Sequence, residues 1–426
     1  VTPEFSEPTG TELVVVSAPD DAALAQELRR LVAFIDRVSR VQLVDIAYTC
    51  SLATGVAKLC VIASDVHDLR ARLASAADRL AAGNLKRLKD KSGTYYFREP
   101  LLGPGRGRLA FVFPGVPSFY PDMVRDLAIL YPECRTAFDE LEEALADVAE
   151  FTPSNFVFPP ASYYRHDADI FSSGAYAQAL VATYAASSAL ARLVKARGLK
   201  PDGVVGCAGG DLASVMRSGA AGESISRPDR VKILSDIYRI VDKAVDHEGL
   251  PKTALVSILL RHEGEADELI ASFPKDKVML AMDLSPRQKT YVVTPDFEEA
   301  ALAAFANAGI RAVKNPLDRP FNTPLAAKMV PAVRKFADRW MRFDPVCDVY
   351  SCRTAALLSR KPRHARSDTA ERWATPIRFV ETIRQMYADG YRVFLEVGPR
   401  GLMTTAVDDI LGDLPHAARS EEHTSE

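Results

Sequence analysis

Residues Gly206-Cys207-Ala208-Gly209-Gly210-Asp211 follow the apolar run Gly203-Val204-Val205 and lead into Leu212-Ala213-Ser214-Val215-Met216, which has helical spacing. That order predicts a nucleophile elbow, in which a strand turns sharply into a helix and presents one side chain at the tip. Glycines flank such a tip because the backbone there is crowded and strained. A reactive elbow carries a serine at the tip. Here the tip is Ala208, which has no atom able to attack a carbonyl. The sequence therefore describes a catalytic frame without its reactive group.

Three further segments accompany the elbow. Arg108-Leu-Ala-Phe-Val-Phe-Pro-Gly115-Val-Pro-Ser118-Phe-Tyr-Pro-Asp-Met123 reads as a strand followed by a loop; Pro320-Phe321-Asn322-Thr323-Pro324 is a short turn-rich segment; Phe394-Leu-Glu-Val-Gly398-Pro399 is a strand closing in a turn. Together and in this order they resemble the acyltransferase domain of type I polyketide and fatty acid synthases, the malonyl-CoA:acyl carrier protein transacylase family. Its opening motif is FxFPGQGSQxxxM, its elbow GHSxGE, its histidine segment AFHS and its closing strand FLEVGP. The resemblance runs from about Arg108 to Met403.

The residues before Arg108 extend it. Glu12–Ala18 and Ala57–Ala63 read as strands, and Asp21 to Ser39 and Asp65 to Ala82 as helices, which implies a small α/β layer. With its Asp45-Ile-Ala-Tyr-Thr-Cys50-Ser-Leu-Ala-Thr-Gly55 stretch, this part resembles the linker between ketosynthase and acyltransferase. The expected organisation is a linker over residues 1–102, a Gly/Pro-rich connector at Leu101–Gly107 and an acyltransferase-like domain over 108–418. Because the chain starts at Val1, it is expected to be a piece of a larger polypeptide. Residues 419–426, Arg-Ser-Glu-Glu-His-Thr-Ser-Glu, resemble a translated sequencing adapter, which would remove His423 from any site argument.

Within the larger domain the apolar, β-branched strands Leu109–Phe113, Gly203–Val205 and Val393–Val397 lie between helices. They predict a mainly parallel sheet covered on both faces, an α/β-hydrolase-like body. Between its halves, at about 252–316, periodicity gives strand Thr253–Leu260, helix Glu265–Phe273, strands Val278–Leu284 and Thr290–Thr294, helix Phe297–Ala308 and strand Ile310–Lys314. The order βαββαβ is the ferredoxin-like pattern. The family carries such an insertion after the elbow helix, and its cleft lies between the two parts. The basic run Arg360-Lys-Pro-Arg-His-Ala-Arg366 reads as a solvated loop, with contact to an acidic carrier protein as the alternative.

Composition narrows the function classes. A net charge of −3 supplies no electrostatic reason to expect nucleic acid. No apolar run approaches the roughly 20 residues that span a bilayer, so no membrane role is expected. Cysteines at 50, 60, 134, 207, 347 and 352 form neither a dense framework nor CxxC pairs, and read as free thiols of a cytoplasmic protein. The histidines make no HExxH or His-Cys ligand pattern, so no metal site is expected.

The resemblance implies transfer through an acyl-serine: serine attacks an acyl-CoA thioester, histidine takes its proton, and a carrier protein's thiol then receives the acyl group. It places Ala208 at the nucleophile and Asn322 at the base. A carboxamide does not take up a proton near neutral pH. The oxyanion donors correspond to the backbone of Val116 and Gly209, beside Pro117 where the family has glycine and Phe119 where it has glutamine. Cys207 stands at the histidine before the tip, Asp211 at the glutamate, and Cys352 at an asparagine. The arginine that binds a malonyl carboxylate has no firm counterpart, because the register is loose over Ala221–Ser226; Arg239 is the nearest candidate.

These departures fall in separate motifs with sound sequence between them, which argues against sequence error. The expectation is a pseudo-acyltransferase that spaces the ketosynthase, docks an acyl carrier protein or receives an acyltransferase acting in trans. Acyl-CoA or a phosphopantetheine thioester is the ligand, with no tightly bound cofactor. The alternatives are an active transacylase using a non-standard nucleophile such as Cys207, and a decarboxylating loading domain.

Overall fold

The computed structural model describes residues 10–90, 93–103, 105–160, 175–219, 225–247 and 249–420. The chain divides into two compact units after Gly103.

In the first unit, strands β1 (Glu12–Ala18), β2 (Ala57–Ala63), β3 (Arg87–Lys89) and β4 (Thr94–Phe97) form an antiparallel sheet in the order β1-β2-β4-β3. Alternate residues Val14 and Val16, and Leu59 and Val61, face helices Asp21–Arg37 and Val66–Ala81, which contribute Leu24, Leu28, Leu69 and Leu73. Each helix starts where an aspartate can cap it: Asp20 accepts from the Ala23 amide and Asp65 from that of Asp68, both at 2.8 Å. The expected strands and helices are present. Strands β3 and β4 are additions that the sequence reading did not contain.

The second unit is built on β5 (Arg108–Phe113), β6 (Gly203–Gly206), β11 (Asp348–Ser351), β12 (Ala356–Leu357), β14 (Tyr391–Glu396) and β15 (Ala417–Ser420). Their order is β12-β11-β6-β5-β14-β15, all parallel except β12. Both faces are covered, as parallel sheets require. Phe111 and Phe113 of β5 point to the side of helix Tyr176–Ala196, while Ala110 and Val112 point to the side of helices Phe379–Ala388 and Leu402–Leu411. β15 brings Arg419 and Ser420 into register with Leu395 and Glu396, so the sheet uses the first two residues of the adapter-like segment. The others, His423 included, lie outside the described residues.

The insertion is a second sheet. β7 (Ala254–Leu259), β8 (Val278–Ser285), β9 (Gln288–Val293) and β10 (Arg311–Lys314) pair antiparallel in the order β10-β7-β9-β8. Helices Asp267–Ser272 and Glu298–Asn307 complete the ferredoxin-like pattern, over a core of Val256, Ile258, Val293 and Phe305. The two-residue strand β13 (Ile377–Arg378) adds parallel to β8 and ties the insertion to the body. The basic run departs from its expectation: it is not a loop but opens helix Pro362–Glu371, with Pro362 in the first turn, where its missing N–H costs nothing.

Candidate active site

β6 ends at Gly206 and helix Gly210–Arg217 starts four residues later, so the turn between them is tight. Ala208 sits in it at φ 50°, the left-handed region that a β-carbon resists. Three glycines from separate motifs hold the turn. A β-carbon on Gly210 would lie 2.6 Å from the Pro114 carbonyl oxygen and nearer still to that of Phe113. One on Gly115 would lie 2.8 Å from the Cys207 oxygen and 3.1 Å from the Ala208 methyl. One on Gly398 would overlap the Pro114 ring. The elbow is forced by neighbouring backbone and does not depend on the tip side chain.

Around the tip the sequence-predicted residues converge. Val116 and Pro117 form a single turn of 3₁₀ helix with Ser118, whose N–H and hydroxyl both donate to the Gly115 carbonyl at 3.0 and 2.7 Å. Proline is accommodated there because it sits at the start of the turn. Phe119 is buried and stacks on Phe156, with ring centroids 4.8 Å apart. Asn322 also has a left-handed backbone, φ 62°. Its amide N–H donates to the Trp373 carbonyl at 2.8 Å, and its Nδ2 to the Arg372 carbonyl at 3.0 Å.

Two cavities meet at Ala208 and Asn322. The larger, of ≈ 580 Å³, is the cleft between body and insertion, lined by Val116, Ser257, Arg287, Thr290, Asn315 and Arg400 among others. It falls within the range of small-molecule sites, ~300–1,000 Å³. The smaller, of ≈ 40 Å³, lies behind the tip against Gly209, Leu212, Phe336, Trp340 and Trp373. Tyr176 borders both, stacked on Phe321 at 4.4 Å, and burial raises its phenol pKa.

A profile of the acyltransferase domain matches residues 110–421. The chain belongs to the acyltransferase family. It is 25% identical over 427 residues to erythronolide synthase EryA3 of Saccharopolyspora erythraea, covering 96% of this chain and 12% of that protein. It is 23% identical over 415 residues to the phthioceranic/hydroxyphthioceranic acid synthase of Mycobacterium tuberculosis, covering 96% and 18%. This chain thus spans less than a fifth of either relative. Among solved structures, the acyltransferase domain of SpnD in complex with 2-(pent-4-yn-1-yl)malonyl superposes with a TM-score of 0.74 at 16% identity, over 96% of this chain and 90% of that one. A malonyl-transacylase in complex with its type II polyketide acyl carrier protein superposes at 0.60 and 21% identity, over 74% and 95%.

Against that family the position of each candidate is clear. Ala208, Gly209, Val116 and Asn322 are brought together. Arg239 is not: it is exposed on helix Arg227–Asp242 and lines neither cavity. The reason is helical register, since Ile237 faces the smaller cavity and a residue two positions on lies roughly 200° around the helix. The cation that lines the smaller cavity is Arg372, which sequence reasoning missed. It is buried between two acids, with Nη1 2.8 Å from Asp211 and Nη2 3.0 Å from Asp368. Asp368 also takes Ser351 Oγ at 2.8 Å and Arg353 Nε at 2.8 Å. Burial, with Asp368 nearby, outweighs Arg372 and pushes the Asp211 carboxyl up to about 7.

Cys207 borders the larger cavity beside Ala208, but its side chain is packed with Val205 and Val112 in the cluster that Ala208 also adjoins, and it is only 2% exposed. Burial, then Asp211 and Glu396, raises its thiol pKa far above neutrality, so almost no thiolate forms. Cys352 is likewise buried, donating to the Gly206 carbonyl at 3.2 Å.

Proposed function

We propose that this domain has lost the acyl-enzyme step and serves a polyketide-type synthase as a binding and spacing element. The observation that carries this reading is the methyl of Ala208, held at φ 50° at the tip of an elbow whose frame is otherwise kept. A methyl has no lone pair, so no acyl bond forms at the tip. Opposite it, Asn322 spends its carboxamide N–H on the Arg372 carbonyl and offers no proton acceptor comparable to imidazole. What the site retains is a cleft of ≈ 580 Å³ between body and insertion, with Ser257, Thr290 and Asn315 among its walls. That cleft suits the pantetheine arm of acyl-CoA or of an acyl carrier protein, whose amides need such partners. The carrier protein is the expected partner, supported by the fold shared with a transacylase solved bound to its own. A ketosynthase in the same polypeptide and an acyltransferase acting in trans complete the proposed assembly.

The test is intact-protein mass spectrometry after incubation with malonyl-CoA. No covalent mass increase is expected. A stable acyl adduct mapped to Cys207 would overturn the reading and make the thiol the nucleophile.

A further inference from the structure

Behind Ala208, the chamber of ≈ 40 Å³ has walls of Leu212, Val215, Met216, Ile237, Phe336 and Trp340. It is about three times the ~10–15 Å³ that one water occupies by the same measure, enough for a few heavy atoms. Its polar lining residues include Asp211, Asn322, Thr369 and Arg372. Among the described residues, Thr369 Oγ1 and Arg372 Nε are buried without a hydrogen-bond partner. Buried polar atoms left over in this way mark a place for an ordered guest with groups to match.

The charge among them decides which guest. Arg372 is the only cation lining the chamber among the described residues, and it is already shared by two carboxylates, Asp211 and Asp368. Arg353 lies on the far side of Asp368, at 2.8 Å. A third carboxylate entering the chamber would find no unpaired positive charge, and would meet Asp211 in a desolvated space. Like charges that close disfavour each other's ionised form. A short neutral acyl group meets no such penalty: its methyl or methylene packs on the apolar wall, and its carbonyl oxygen can accept from Arg372 Nε–H or Thr369 Oγ–H.

We infer that the chamber selects short, uncharged acyl groups of acetyl or propionyl size and discriminates against carboxylated ones such as malonyl. Asp211 is the specificity-determining residue, acting by neutralising Arg372. This inference rests on the proposal that the cleft binds acyl thioesters, but not on the absence of acyl-enzyme.

The experiment uses the full chain and the amide analogues of propionyl-CoA and malonyl-CoA, in which N–H replaces the thioester sulfur, in calorimetric titrations at pH 8. The propionyl analogue is expected to bind at least about tenfold more tightly than the malonyl analogue. Asp211→Asn, which keeps the shape and frees Arg372 from one acid, should narrow that ratio about tenfold by strengthening malonyl binding. A purely structural role for Asp211 would weaken both analogues alike and leave the ratio unchanged. Equal or tighter malonyl binding by the unaltered chain overturns the inference whether or not the variant folds, and so does an unchanged ratio in a folded variant. Failure of both analogues to bind at millimolar concentration also overturns it, while leaving the loss of acyl-enzyme formation to be judged by mass spectrometry.

Discussion

The ferredoxin-like insertion and the elbow lie in one unit and obey opposite rules. In the insertion each local preference agrees with the fold. Alternating residues of β7 and β9 feed one core, and the glycine ending helix Glu298–Asn307, Gly309, takes φ 69° with nothing within 4 Å of a β-carbon. At the site, Ala208, Asn322 and Arg400 all hold left-handed backbones, at φ 50°, 62° and 76°, where glycine would be cheaper. Strain of this kind is usually attributed to mechanism. Here it persists at a tip with no nucleophile. The elbow is therefore a property of the packing of Gly115, Gly206 and Gly210, and the reactive side chain is a separate addition to it. Fold and function separate at the reactive pair, where position 208 lacks an oxygen and position 322 lacks an imidazole.

The contrast can be broken at its glycines. Gly210→Ala should be the most damaging exchange, because its β-carbon meets backbone oxygens of Phe113 and Pro114 that cannot rotate away. A loss of about 3 kcal/mol or more is expected in urea unfolding. Gly309→Ala should cost only about 1 kcal/mol, the penalty of a left-handed alanine in open space. Similar losses for the two variants would mean that the elbow is not held by close backbone approach. A smaller effect, of opposite sign, sharpens the same point: Ala208→Gly should stabilise the domain by about 0.5–1 kcal/mol, since glycine accepts φ 50° freely. Destabilisation by that change would show that the methyl contributes packing that outweighs its strain.

How much of this was legible in the sequence follows from the range of the interactions. The insertion was readable element by element because its strands and helices carry clean periods of 2 and 3.6. The elbow is readable because its three glycines, Gly206, Gly209 and Gly210, fall within five residues. Strands β3 and β4 were missed because three- and four-residue strands rich in lysine, arginine and tyrosine carry little periodicity. The charges of the basic run hide a helix whose buried side is only Ala365, Asp368 and Ala370, so its sequence reads as a loop. The ion cluster of Asp211, Asp368 and Arg372 joins the elbow helix to a segment far away in the chain, and no local pattern announces it. Arg239 is the nearest arginine in sequence, but the turn of its helix sends it to solvent.

The central claim, a sound frame that lacks only its reactive pair, is tested most directly by restoring the pair. Ala208→Ser alone should acquire almost no acyl label from acyl-CoA, because Asn322 cannot remove the serine proton. In Ala208→Ser/Asn322→His, the imidazole can donate to the Arg372 carbonyl that Asn322 Nδ2 now uses, leaving its other nitrogen as the base. General-base assistance supplies ~10²–10⁴-fold, so the double variant should form the acyl-enzyme faster than the single one by that order. The readout is the rate of mass increase mapped to residue 208, with propionyl-CoA and malonyl-CoA supplied separately. Labelling of the double variant only, on that scale, is the predicted result. A folded double variant that takes up no acyl group from either thioester would contradict the account, because the frame around Ala208 would then have lost more than its nucleophile and base.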